Sequence, residues 1–167
     1  MNKRIRQYLG ILAAIAVYYL VHEGAHLVMA LVYGTFKQVN FMGLGMQIDV
    51  YAERMTDTQL GLLCLAGPVA TLLAGWVLIG LTKRICSVNS KLFKTIMWYV
   101  SLAILLIDPL YLSVLYGFFG GGDMNGITLL LPEAVARGVF AAIGILHGLI
   151  VWKYLLPEYT KAFHDDA

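Results

Sequence analysis

At 167 residues the chain has room for one compact domain, but 60% hydrophobic and only 13% charged residues, with a mean hydropathy of +0.76, exclude a water-soluble globule of ordinary composition. A net charge of +2, from 12 Lys and Arg against 10 Asp and Glu, is too balanced and too sparse for a nucleic-acid footprint, and the apolar content excludes disorder. Cys64 in an apolar run and Cys86 in a basic loop have neither the number nor the spacing of a disulfide framework or a Cys-rich zinc site, and are expected as free thiols.

Four apolar stretches are long enough to cross a bilayer, near residues 7–33, 60–81, 95–119 and 133–152, since a spanning helix needs about 20 mostly apolar residues. The first follows a basic start, Met1-Asn2-Lys3-Arg4-Ile5-Arg6. It has no small-x-small cleavage site and is too long for a signal peptide, so a permanent span is expected. Residues 34–58 are polar, and the stretch from Val39 to Val50 alternates around Gly43 and Gly45, which predicts a short β-hairpin at the membrane surface. Such a hairpin must pack on the helices or lie at the interface, because lipid satisfies no backbone hydrogen bonds. The stretch 82–94 is a polar, basic loop, and the glycines from Gly120 to Gly126 form a turn before Pro132 restarts a helix. The predicted fold is an all-α membrane protein, a single integral-membrane domain over 1–167, with about four transmembrane helices and a membrane-associated β-hairpin between the first and second.

The chemistry concentrates in His22-Glu23-Gly24-Ala25-His26, an HExxH motif inside the first span. On a helix its histidines are i and i+4, stacked on one face where both imidazoles can bind one zinc ion while Glu23 reaches a metal-bound water. The bland alternative is two buried histidines bonded to neighbouring helices with Glu23 paired to one of them. Three ionisable residues in an apolar helix are costly unless they do something, which favours zinc. A catalytic zinc takes three protein ligands and leaves the fourth position to water. Candidates for the third are Asp108, Asp123, Glu133 and His147. Asp123 is the best placed, at the end of the third span after glycines that let the backbone turn its carboxylate inward. Asp108, just before Pro109, is the alternative metal ligand.

These features resemble the site-2 proteases, intramembrane zinc metalloproteases. Three match in order: HEGAH at 22–26 in a span, Gly67-Pro68 inside the second span, and Asp123 followed by a glycine-containing turn after the third. The resemblance implies one Zn2+ per chain on His22, His26 and Asp123, with Glu23 as general base. It also implies that residues 36–50 are a β element that holds an extended substrate by strand addition, with Gly43 and Gly45 at the hairpin. The chain departs from the family at Thr71, where an asparagine is usual, and at Asp108-Pro109. Thr71 is thereby a substrate-binding candidate. No PDZ-like insertion is present, which leaves a minimal core. The expected substrate is a membrane-spanning or membrane-associated peptide, with a membrane protein that presents it as a further partner and no nucleic acid. The competing class is non-enzymatic: an inactive relative, or a zinc-stabilised scaffold that binds a membrane partner. The intact motif argues against it, because holding zinc does not require Glu23.

Nine of the 12 basic residues (Lys3, Arg4, Arg6, Lys83, Arg84, Lys91, Lys94, Lys153, Lys161) flank one side of a four-span arrangement and three (Lys37, Arg54, Arg137) the other. The positive-inside rule predicts a multi-pass protein of the cell membrane with both termini cytoplasmic. From Ile5 to His22 is 17 residues, about 26 Å of helix at 1.5 Å per residue, so the motif is expected toward the extracytoplasmic face, whereas the resemblance implies the cytosolic one. With Cys64 and Cys86 replaced, a membrane-impermeant thiol reagent on intact cells should label Asp57→Cys and spare Ser87→Cys. The reverse pattern would invert the topology.

Overall fold

The structure, a computed structural model, describes residues 2–42, 45–119 and 121–164, with the side chains of Met42 and Phe119 outside the description. Among the described residues, four helical segments are long and apolar enough to cross a membrane: Lys3–Val32, Asp57–Cys86, Lys91–Phe118 and Glu133–His164. The expected hairpin lies between the first two.

Helix α1 (Lys3–Val32) is capped by the Asn2 side chain, which accepts the Arg4 N–H. Strands β1 (Phe36–Met42) and β2 (Gly45–Val50) pair antiparallel, Val39 opposite Ile48 and Phe41 opposite Met46. A capping box then starts α2 (Asp57–Cys86): Thr56 and Gln59 exchange side-chain and backbone bonds, so two otherwise unpaired N–H groups are satisfied. Helix α3 (Lys91–Leu110), capped by Ser90, contains Pro109 and runs into a π turn at Tyr111–Leu115 and a last turn, α4 (Tyr116–Phe119). Short α5 (Gly122–Ile127) precedes α6 (Glu133–Ile150), which continues through a second π turn, Val151–Leu155, into α7 (Leu156–His164).

These helices run beyond the expected stretches because helical bonding does not stop where hydropathy does. The second takes up Lys83 and Arg84 as its last turn, where cations suit the negative end of the helix dipole. The fourth reaches His164. Asp123 falls in the first turn of the separate α5 rather than at the end of the third span.

Polarity is distributed for lipid rather than for water. Leu20, Val28, Leu73, Val77 and Ile145 are exposed, whereas His22, Glu23, His26, Thr71, Lys94, Ser101, Asp108 and His147 are buried. An apolar exterior around a polar interior would aggregate in water and is at ease in a bilayer, where interior polar groups must find one another. Helix α3 packs against α1, α2 and α6, so it is the central post of the bundle.

One core cluster decides the position of Asp123. Met124 and Ile127 of α5 are buried with Leu63 and Cys64 of α2, Ile48 of β2 and Phe140 of α6. With its apolar side fixed in that cluster, α5 is anchored against α2. The contact depends on Gly126: a Cβ there would lie 2.3 Å from Cys64 Sγ and 3.2 Å from the Leu60 carbonyl oxygen. Gly126→Ala should therefore destabilise the protein by about 1–3 kcal/mol, the usual range for overpacking a filled core. Cys64→Ala in the same chain should recover part of the loss. Thermal unfolding in detergent measures both, and an unchanged midpoint in Gly126→Ala would contradict this packing.

Candidate metal centre

His22, Glu23 and His26 are all buried and offer ligand atoms within 4.8 Å of one another. The helical period places the two histidines a turn apart on one face of α1, with His22 Nε2 and His26 Nε2 3.1 Å apart. Asp123 comes to the same point from α5. Its Oδ2 lies 3.0 Å from His22 Nε2 and its Oδ1 3.3 Å from His26 Nε2.

The backbone fixes the tautomer of His26. Its Nδ1 lies 2.7 Å from the Leu63 carbonyl oxygen, an acceptor with nothing to donate, so Nδ1 carries the proton and Nε2 presents a lone pair. That lone pair meets the carboxylate of Asp123 and the Nε2 of His22. Such a convergence is adverse unless a proton or a cation lies between the atoms. The spacing suits an ion: at bond lengths of 2.0–2.1 Å, two ligands of a tetrahedral zinc are about 3.3 Å apart. Gly67 preserves the space, because a Cβ there would come within 2.5 Å of His26 Nε2 and 2.7 Å of His22 Nε2. The residues present therefore fit a zinc ion.

Glu23 is turned differently from Asp123. Its Oε2 accepts the backbone N–H of Ile48 at 3.0 Å, which ties β2 to α1 and shows that this edge of β2 faces the cluster rather than β1. A cavity of about 410 Å³ opens here, lined by Glu23, His26, Ile48, Asp49, Leu63 and Asp123. A second, of about 450 Å³, reaches His22, Glu23 and Asp123 from the α3 side past Tyr19 and Tyr111. A larger cavity of about 540 Å³ lies at the far end of α1, among Lys3, Arg6, Lys91 and Trp98, and contains none of the cluster.

The other sequence candidates fall elsewhere. Asp108 Oδ2 is 3.2 Å from His22 Nδ1, on the side of the ring away from Nε2. Thr71 is fully buried and bonds to Asp108 rather than to a cavity. Gly45 lines an apolar groove against Leu12, Ile15 and Leu20 of α1, and Gly43 lies outside the described residues. Glu133 pairs with Arg137 at 3.2 Å on the surface, and His147 Nδ1 bonds to the Leu105 carbonyl oxygen at 2.8 Å. Tyr18, which approaches His22 and Asp108, was not foreseen. Its place four residues before His22, on the same helical face, is a signal that could have found it.

The fold and cluster together define a multi-pass helical membrane bundle with a buried His-Glu-His motif, an arrangement consistent with a zincin-like intramembrane protease. No family model, curated protein or solved structure was found to match the chain, so residue geometry carries the functional reading.

Gly67→Ala should lower zinc content well below one per chain with helicity unchanged by circular dichroism. Full zinc occupancy in that variant would contradict the geometry described here.

Proposed function

We propose that this chain is an intramembrane zinc metalloprotease of the site-2 kind, hydrolysing a peptide bond of a membrane-embedded or membrane-associated protein. The observation that carries the reading is the convergence of His22 Nε2, His26 Nε2 and the Asp123 carboxylate beside Glu23. His22, His26 and Asp123 are the metal ligands in this reading. Zinc, when bound, supplies a Lewis acid that polarises the scissile carbonyl and acidifies a water.

Everything else falls to the chain's own groups. Glu23 takes the proton of the attacking water and returns it to the leaving amine. The Ile48 N–H holds its Oε2, and Glu23 lines the cavity beside the cluster. An α-helical substrate hides its scissile carbonyl in the helical ladder, so it must unwind locally. The edge of β2 that faces the cluster offers the unwound segment backbone partners. The buried bundle around the cluster limits water to the cavities that reach it, and a membrane partner would present the substrate. In topology, we place the site toward the extracytoplasmic face. Its support is the basic pattern, together with the shared cavity that brings Lys3 and His164, near the two termini, to the opposite end of α1.

A zinc-stabilised scaffold would not depend on Glu23, which makes that residue the decisive test. In cells co-expressing a candidate single-span substrate, Glu23→Gln should lower cleavage by about 10²–10⁴-fold, the usual contribution of a general base. It should keep its metal, because the amide fills nearly the same volume. Cleavage near the wild-type rate would overturn the proposed role of Glu23.

A further inference from the structure

We infer that Asp108 is a positioning carboxylate that orients His22, supported in turn by Tyr18 and Thr71. The inference rests on the metal-site reading above and assigns parts to three residues that reading does not use.

Asp108 is 1% exposed in the middle of an apolar span and Thr71 is fully buried. Three donors converge on the carboxylate. The Tyr18 hydroxyl donates to Oδ1 at 2.5 Å, the Thr71 hydroxyl donates to Oδ2, and His22 Nδ1 stands 3.2 Å from the same Oδ2. Each hydroxyl has one proton and a second acceptor nearby: His22 Nδ1 at 3.4 Å for Tyr18 and the Pro68 carbonyl oxygen at 2.8 Å for Thr71. The carboxylate is the stronger acceptor in both cases, and the Pro68 carbonyl belongs to the helical ladder of α2. Both protons therefore go to Asp108.

The consequence falls on His22. With its Nδ1 proton on Asp108, the ring is fixed in the tautomer that sends the Nε2 lone pair toward His26 and Asp123, and it cannot flip without breaking this bond. His26 has the neutral Leu63 carbonyl in the corresponding place. The two histidines are thus oriented by different means, one by backbone and one by charge. Asp108 lies across the imidazole from the convergence point, so it acts through His22 and shares no ion with it. Because Tyr18 comes from α1, Thr71 from α2 and Asp108 from α3, the same bonds fasten three spans at the level of the cluster.

The test uses full-length protein in detergent, with zinc affinity measured by chelator competition and the ligand set read from the d–d absorption of bound cobalt. Asp108→Asn should bind zinc about 10–100-fold more weakly, the usual cost of losing such an orienting partner. Its cobalt bands should stay at the wild-type positions, while Asp123→Asn shifts them. Thr71→Val and Tyr18→Phe should show smaller losses in the same direction, and Thr71→Ser should restore the affinity. Wild-type affinity in Asp108→Asn, or a cobalt shift like that of Asp123→Asn, would overturn the inference. Should Asp108→Asn fail to fold, wild-type affinity in both Thr71→Val and Tyr18→Phe would overturn it. A wild-type chain that binds no zinc would fail the metal reading first, before any variant is compared.

Discussion

Two imidazole nitrogens and a carboxylate are held about 3 Å apart in the interior of a helical bundle. The rest of the structure can be understood as what keeps them there. The helical period of α1 stacks His22 over His26. The Leu63 carbonyl takes the outer proton of His26, Gly67 leaves the space between the rings open, and the packing of Met124 and Ile127 aims the preceding Asp123 at them. Each of these contacts bears on where one of the three groups points.

Such an arrangement needs a solvent that does not compete for it. In water, polar side chains can leave the interior and be hydrated. Here the exterior is leucine, valine and isoleucine, and in lipid the buried polar groups have only each other and the backbone to bond with. That constraint also explains the irregularities. Pro68 and Pro109 each remove an N–H from a helical ladder, and the π turn after Pro109 re-spaces the chain before it delivers Asp123. Breaks in the helices are tolerated where neighbouring helices bury them, and both prolines are buried.

Much of the fold was legible in the sequence because its signals are strong. Spans are read from hydropathy, and the hairpin from alternation around glycines, both averages over many residues. The helix ends were less legible, since Lys83 and Arg84 look like a loop by hydropathy and behave as a favourable last turn. Within the candidate site, the stacking of His22 and His26 follows from spacing alone. The approach of Asp123 depends on long-range packing of α5, and residue type could only rank it above Asp108. Thr71 bonds to Asp108, a partner that a small β-branched hydroxyl on a helix interface does not specify by itself. The contributions of Leu63 and Ile48 come from backbone atoms, which any side chain would leave unannounced.

In the proposed function, the two histidines and Asp123 converge to hold one metal ion. The most direct measurement is zinc K-edge X-ray absorption on purified protein, with stoichiometry determined on the same sample. One zinc per chain is expected, bound by two imidazole nitrogens and carboxylate or water oxygen at distances of about 2.0–2.2 Å. A metal-free protein, or a zinc coordinated by cysteine sulfur at about 2.3 Å, would contradict it.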